Sequence, residues 1–166
     1  TICEDIWFDT PVQQAKQAGA QALLVLNASP YHGGKYDERL QVLRQRHRET
    51  GLPQFYLNLV GGQDELVFDG QSLVLDGKGE LVGRGAEFEA ADLRYRLQAD
   101  GQVEALQPAA ELLTEDASIY RALVSGVRDY VSNNGFNGVV IGLSGGVDSA
   151  LTLAIAVDAL GADKVM

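Results

Sequence analysis

The chain has 166 residues, of which 46% are apolar, 22% are charged and 7% are aromatic. These values, with a mean hydropathy of -0.05, are typical of globular proteins and exclude disordered and fibrous classes. Thirteen Lys and Arg stand against 23 Asp and Glu, so the formal net charge is -10. This balance argues against broad nucleic-acid binding, because a phosphate backbone requires basic surface. The length predicts one domain, or two small or truncated ones.

Cys3 is the only cysteine, so the fold depends neither on an internal disulfide nor on an oxidising compartment. No apolar run approaches the roughly 20 residues that span a bilayer, and no basic segment followed by an apolar one opens the chain. We therefore expect a cytoplasmic protein that contacts neither membranes nor nucleic acid. The chain starts without Met and closes on the apolar Val165-Met166, which we interpret as the cut ends of a fragment.

The first 60 residues predict alternating helices and strands. Thr10 can cap a helix that has Pro11 in its first turn. The continuous apolar run 22–26 predicts a strand buried on both faces, as parallel sheets require, and 55–59 predicts a second buried strand. Between them, helical spacing predicts an amphipathic helix over 36–50, whose apolar face carries Tyr36, Leu40, Leu43 and His47. This alternation is typical of an α/β layered domain.

The same helix carries four arginines, and we expect them on a solvated or subunit-facing surface: Arg39, Arg44, Arg46 and Arg48. Further along, two short apolar stretches around an Asp-Gly turn predict a hairpin over 72–83. The polar stretch 88–107 predicts edge strands or covering loops. We place a domain boundary at the acidic segment 108–118, which separates a first domain over 1–107 from a second over 119–166.

The second unit begins with apolar residues spaced by four from Ile119, which predict a helix that stops at Asn133-Asn134-Gly135. A buried strand over 139–141 and a helix over 150–160 follow. A loop rich in glycine joins them, and glycines at a helix N-terminus let backbone N–H groups approach a phosphate. The residues predicted to bind phosphate are Gly142, Leu143, Ser144, Gly145, Gly146, Val147, Asp148 and Ser149.

Asp148 is unusual in such a loop, because a carboxylate repels phosphate oxygens unless a cation such as Mg²⁺ lies between them. The loop lacks the Gly-Lys-Ser/Thr ending of a Walker loop and the Gly-x-Gly-x-x-Gly pattern of dinucleotide sites. The segment Ser144-Gly145-Gly146-Val147-Asp148-Ser149 instead resembles the pyrophosphate loop of the ATP pyrophosphatases. The resemblance implies ATP as substrate and Mg²⁺ at Asp148. An ordinary tight strand-to-helix turn remains the alternative.

Cys3 taken alone is more often a buried small residue than a catalyst. Its context, Thr1-Ile2-Cys3-Glu4-Asp5-Ile6-Trp7, resembles the nucleophile segment of the nitrilase superfamily. That resemblance implies a Glu-Lys-Cys triad in which the thiol attacks an amide carbon. The base Glu and the Lys lie upstream of the Cys in that superfamily. We therefore expect this chain to hold one triad member of three and to be inactive as an amidase by itself.

Cys3 and the Ser144 loop on one chain together resemble the glutamine-dependent NAD synthetases. Asn27 to Lys35 lies where that family binds glutamine, with Ser29 and Lys35 at the matching positions. From its local sequence, Ser29 could equally form a turn. The resemblance implies an α/β fold. It begins with the C-terminal part of a nitrilase-like four-layer α-β-β-α domain. The first part of an adenine-nucleotide α-hydrolase-like, Rossmann-like parallel-sheet domain follows.

The resemblance also implies a reaction: ammonia released from glutamine at Cys3 amidates deamido-NAD, whose nicotinate carboxylate ATP has adenylated. A homo-oligomer is implied by analogy alone. The first alternative is a nitrilase-type amidase fused to another pyrophosphatase that amidates or thiolates a different acceptor. The second is a non-enzymatic nucleotide-binding or assembly module in which Cys3 is merely buried.

Overall fold

The computed structural model describes all 166 residues, in four α-helices, eight strands and two short 3₁₀ turns, Cys3–Trp7 and Ala162–Lys164. The helices are α1 (Asp9–Gln17), α2 (Lys35–Thr50), α3 (Glu115–Asn133) and α4 (Val147–Leu160). The strands are β1 (Leu23–Asn27), β2 (Gln54–Asn58), β3 (Val60–Gln63), β4 (Leu66–Asp69), β5 (Leu73–Leu75), β6 (Leu81–Arg84), β7 (Tyr95–Leu97) and β8 (Val103–Ala105). The predicted mixed α/β class is confirmed. None of the helices combines the length and the apolar content needed to cross a membrane.

The main sheet has the strand order β1-β2-β5-β6. β1 and β2 are parallel and are joined through α2, whereas β5 pairs antiparallel with both β2 and β6. The β5–β6 hairpin is the one predicted over 72–83. At the free edge of β1, Ile2 forms a parallel bridge with Leu26, so the first two residues run beside β1. This first segment is therefore parallel to β1 and β2.

The main core lies between one face of this sheet and the helices α1 and α2. Its fully buried members are Ile6, Val12, Leu23, Val25, Leu40, Leu43, Tyr56, Leu73 and Leu75. The predicted burial of β1 and β2 is wrong for one face of each strand within this chain, because Leu24 and Leu57 on the opposite face are 62% and 48% exposed. Only the β7–β8 hairpin covers part of that face, where Tyr95 packs edge-on against Phe55. Side chains alternate across a strand, so a layer on one side alone buries every second residue.

The prediction for the arginines of α2 is wrong for two of the four. Arg39 and Arg46 are buried, whereas Arg44 and Arg48 are exposed. Arg46 is paired with Glu49 at 3.1 Å, and Arg39 with Asp69 at 2.7 Å. A charge is buried only when it is paired or hydrogen-bonded, and the pattern along α2 alone does not show where the partners lie.

Helix α3 begins at Glu115, inside the segment expected to be a linker, because the Thr114 side chain caps it by accepting from the Ala117 N–H at 3.4 Å. The spacing by four marks the helix, but Ile119 and Leu123 are 45% and 47% exposed. The buried residues of α3 are Val131, which belongs to the predicted spacing, and the small residues Ser118, Ala122 and Ser125. Small side chains allow a close approach of the hairpin β3–β4, which the sequence patterns did not predict.

The last 28 residues form a strand–helix–strand unit of minimal length. Val139 bridges Val165 in parallel, and the Ile141 N–H donates to the Met166 carbonyl at 2.8 Å. The predicted strand 139–141 is therefore reduced to isolated pairing, and Val140 is 79% exposed instead of buried. Helix α4 begins at Val147 instead of 150, so the last three residues of the predicted loop lie in its first turn. A strand with one short neighbour cannot bury both of its faces.

The hairpin β3–β4 packs against α3 through glycines. The Gly62 N–H donates to Asp129 Oδ2 at 2.6 Å. A Cβ placed on Gly62 would lie 3.3 Å from the Gly126 Cα and 3.2 Å from the Asp129 Cβ. A side chain at position 62 would therefore require its neighbours on α3 to move by a few tenths of an ångström.

Replacing Gly62 with Val is expected to reduce the free energy of unfolding by about 1–3 kcal/mol, because the added side chain overpacks this contact. Gly33→Val is the matched control, since a Cβ on Gly33 has no neighbour within 4 Å. Thermal unfolding of the two variants compares them directly. Equal melting temperatures for both variants would contradict the close packing of β3–β4 on α3.

Candidate functional site

Cys3 begins the first 3₁₀ turn directly after the residues that run beside β1. Its φ of 49° lies in the left-handed region, which residues other than glycine rarely adopt. The turn is held by the Ile2 N–H, which donates to Asp5 Oδ2 at 2.9 Å, and by the Asp5 N–H, which donates to the Ile2 carbonyl at 3.2 Å. The thiol is exposed at the carboxyl end of the sheet edge. A nucleophile needs such access, and the alternative of a buried structural cysteine does not hold within this chain.

A cleft of about 320 Å³ opens beside the thiol. Three predicted site residues, Cys3, Ser29 and Lys35, line it, although they come from three separate segments of the chain. The remaining lining residues are Glu4, Trp7, Asn27, Ala28 and Pro30. The structure thus brings the predicted nucleophile and the predicted glutamine-binding residues into one cavity of small-molecule size.

Ser29 follows β1 and is buried, with its polar groups engaged by the neighbouring elements. Its N–H donates to Asn58 Oδ1 at 2.8 Å, and its carbonyl accepts from Asn58 Nδ2 at 3.2 Å. Its hydroxyl accepts from Arg39 Nε at 3.2 Å. The interpretation of Ser29 as a simple turn residue accounts for none of these bonds.

Lys35 is the first residue of α2, and its side chain extends along the cleft. Its Nζ lies 4.4 Å from the centre of the Trp7 ring and donates to Glu38 Oε2 at 3.0 Å. The hydrogen bond from Lys35 lowers the pKa of the Glu38 carboxyl below its ordinary value. The ammonium group therefore has a fixed position at the mouth of the cleft, where it can attract the carboxylate of an amino acid.

Arg39 and Asp69 lie directly beneath this cleft and were not predicted as site residues. Arg39 donates to both Asp69 oxygens, at 2.7 and 2.9 Å, and to the Ser29 carbonyl at 2.8 Å. Helical spacing placed Arg39 next to the apolar residue Leu40 but could not identify a partner 30 positions away.

The predicted phosphate loop is open to solvent, with Gly142 to Asp148 all exposed. Gly145 has a φ of 86°, and Gly146 begins α4 without a side-chain cap. The first-turn N–H groups of a helix have no intrahelical partners, so here they face solvent. Ser144 Oγ and Ser149 Oγ lie 3.1 Å apart across the loop, and Ser149 also donates to the Gly146 carbonyl at 3.0 Å. The N–H groups of the first turn are therefore available to an anion, while the two hydroxyls are bonded within the loop.

Asp148 lies in the first turn of α4, exposed, and its carboxylate has no hydrogen-bond or ion-pair partner. No three His, Cys, Asp or Glu side chains come together in the chain as a metal site. One free carboxylate fits Mg²⁺, which is commonly held by one or two carboxylates together with water and substrate phosphates. The donor set does not fit a structural metal held by protein side chains alone.

The two parts of the chain match two different family profiles in a comparison with known sequences. Residues 1–107 match the sequence profile of the carbon-nitrogen hydrolase family, which is more than half of the chain. The chain belongs to the carbon-nitrogen hydrolase family. Residues 119–166 match a second profile, that of NAD synthase. The hydrolase match contains Cys3 and the whole cleft, and the NAD synthase match contains the phosphate loop.

Curated relatives join these two matches in single proteins. A glutamine-dependent NAD(+) synthetase of Xylella fastidiosa is 50% identical over 166 residues, and one of Acinetobacter baylyi is 45% identical over 173 residues. Each alignment covers 99% of this chain and 30% of the relative. The chain therefore spans about a third of the length of these relatives.

Solved structures agree with the sequence comparison. The glutamine-dependent NAD+ synthetase of Acinetobacter baumannii, solved in complex with ADP, superimposes with a TM-score of 0.89 at 46% identity, over 99% of this chain and 31% of that one. The synthetase of Cytophaga hutchinsonii superimposes with a TM-score of 0.67 at 24% identity, over 98% of this chain and 26% of that one. The second likeness shows a shared fold. This carbon-nitrogen hydrolase family member thus shares its fold with both proteins.

Proposed function

We propose that this chain supplies the nucleophile of a glutaminase and the ATP loop of an NAD synthetase within one enzyme. One observation carries the proposal: Cys3, Ser29 and Lys35 share a cleft on the same chain as a glycine-rich loop, and relatives at 45–50% identity carry both. The proposal includes a division of the chain into a glutaminase domain over 1–107, a connection over 108–118 and the start of a synthetase domain over 119–166. It also includes a cytoplasmic location and a homo-oligomeric assembly.

At the first site, the Cys3 thiolate attacks the side-chain amide carbon of glutamine. The C–N bond of the tetrahedral intermediate breaks, a proton goes to the leaving nitrogen, and ammonia departs from a glutamyl thioester. Water then cleaves the C–S bond and releases glutamate. Lys35 and Ser29 bind the amino-acid end of glutamine. The base and the oxyanion donor belong to residues upstream of Cys3, so we propose that residues 1–166 alone are inactive as a glutaminase.

At the second site, Gly142 to Ser149 bind the phosphates of ATP while the nicotinate carboxylate of deamido-NAD attacks the α-phosphorus. Pyrophosphate leaves and the carboxylate becomes an acyl adenylate. Ammonia then attacks the activated carbon and displaces AMP, leaving the amide of NAD. Bound Mg²⁺ supplies positive charge that offsets the phosphate oxygens, with Asp148 as its protein ligand. The chemistry requires activation, because a free carboxylate is a poor electrophile.

The second candidate is an amidase of the same family joined to a pyrophosphatase that modifies a different carboxylate or carbonyl acceptor. The free thiol and the loop are common to both candidates. They differ in the acceptor alone, and no contact in this chain selects it.

The experiment that tests the proposal is NAD formation by the full-length protein from deamido-NAD and ATP, with glutamine or ammonia as the nitrogen donor. We expect NAD with both donors and one AMP and one pyrophosphate for each NAD. Formation of AMP and pyrophosphate with another carboxylate acceptor, without NAD from either donor, would refute the proposal in favour of the second candidate.

A further inference from the structure

We propose that the buried Arg39–Asp69 pair positions the glutamine-binding loop beside Cys3, a role that rests on the proposed glutaminase function. Neither residue lines the Cys3 cleft, so both are positioning residues that act through Ser29 and Pro30. The pair connects the second turn of α2 to the end of β4, on either side of the loop between β1 and α2.

The geometry of Arg39 is directed at this loop. Its side chain is 0% exposed and that of Asp69 is 1% exposed. Two donors form the fork with Asp69, and the remaining contacts are to Ser29 Oγ at 3.2 Å, the Ser29 carbonyl at 2.8 Å and the Pro30 carbonyl at 3.4 Å. The planar guanidinium therefore joins a carboxylate on one side to two consecutive residues of the cleft on the other.

Asn58 at the end of β2 completes the arrangement from the opposite side. Its amide nitrogen donates to the Ser29 carbonyl at 3.2 Å and to Asp69 Oδ1 at 3.4 Å, and its oxygen accepts from the Ser29 N–H at 2.8 Å. Both backbone groups of Ser29 are thereby bonded, although Ser29 lies outside any helix or strand. Fixing a contact residue in this way matters because a displacement of about 1 Å can slow a reaction on the order of a hundredfold.

Stability alone is a weak reason for such a pair, because a buried ion pair often contributes no more than apolar residues of similar volume. Helix α2 offers a direct comparison. Arg46 is also buried on α2 and pairs with Glu49 at 3.1 Å within the same helix, without any contact to the cleft. Both arginines are buried on α2, but Arg39 contacts the cleft residues Ser29 and Pro30, whereas Arg46 pairs with Glu49.

The test measures steady-state NAD synthesis by the full-length protein, with glutamine and with ammonia, for three variants. Asp69→Asn removes the charge partner of Arg39, and Glu49→Gln does the same for Arg46. The double variant Arg39→Met/Asp69→Leu replaces the pair with apolar side chains of similar volume, which is expected to keep the fold while removing every bond from Arg39 to Ser29 and Pro30. Melting temperatures accompany each assay.

We expect Asp69→Asn and the double variant to raise the KM for glutamine by about tenfold or more, since the loop loses its fixed position. Ammonia-dependent synthesis and the values for Glu49→Gln are expected to remain those of the wild type. A wild-type KM in the double variant, or an equal rise in Glu49→Gln, would overturn the proposal. Loss of ammonia-dependent synthesis in both Asp69→Asn and the double variant would show that the pair supports stability instead of the position of the loop. That result would also overturn the proposal. A wild type that makes no NAD from either donor refutes the proposed function itself.

Discussion

Replacing Cys3 with alanine is expected to reduce glutamine-dependent NAD formation by about a thousandfold or more, while ammonia-dependent formation continues at the wild-type rate. Cys3 carries the only thiol of the chain, and without it no thioester forms. The loss falls on one donor because external ammonia enters the reaction after the step that needs Cys3. The φ of 49° at position 3 is tolerated by the exposed turn with either side chain, so the fold is expected to remain intact.

The measurement is the rate of NAD formation with each donor for the full-length wild type and Cys3→Ala. A glutamine-like electrophile, diazo-oxonorleucine, supplies the control: it should alkylate the wild type once, at Cys3, and leave Cys3→Ala unmodified. The alkylated wild type should retain synthesis from ammonia. Equal losses with both donors would contradict the assignment of Cys3 to a separate glutaminase site.

Replacing Asp148 with asparagine is expected to produce the complementary defect, a loss of NAD formation of about a hundredfold or more with both donors. Its carboxylate has no partner within the chain, so the substitution removes no hydrogen bond or ion pair. The defect should therefore appear in the reaction, with the melting temperature unchanged. The physical reason is the lost Mg²⁺ ligand, and the concentration of Mg²⁺ required for half-maximal rate should rise.

Asp158→Asn on the same helix is the matched control. Asp158 lies in the last turn of α4, away from the loop, and accepts from the Tyr120 hydroxyl at 2.7 Å. That hydrogen bond raises the pKa of Tyr120, so the control should lower this pKa toward its ordinary value without slowing NAD synthesis. Similar rates for Asp148→Asn and Asp158→Asn, at limiting Mg²⁺ and ATP, would contradict the assigned role of Asp148.

Local patterns predicted the positions of most elements. Spacing by three and four marked α2 and α3, and an Asp-Gly turn between apolar stretches marked the β5–β6 hairpin. The same patterns misjudged burial. Leu24 and Leu57 are exposed although they lie in segments predicted to be buried, and Arg39 is buried although it carries a charge. Hydrophobic periodicity reports the secondary structure of a segment, but burial depends on which other segment packs against it.

The candidate sites show the same contrast between features of consecutive residues and features that depend on distant partners. Cys3 and the loop 142–149 were recognised from the sequence because each depends on consecutive residues with a particular backbone geometry. The glycine contact with α3 and the pair Arg39–Asp69 were not, since their partners lie 67 and 30 positions apart.

The sequence by itself determined the α/β class and the resemblance to a two-part enzyme, and it predicted the nucleophile and the phosphate loop. All of these follow from local chemistry, in which neighbours along the chain are neighbours in space. Only the tertiary structure decided that Cys3, Ser29 and Lys35 share one cleft, and that a buried ion pair lies beneath it. Those arrangements arise when parallel strands bring the ends of separate segments to one edge of the sheet, which no single segment encodes.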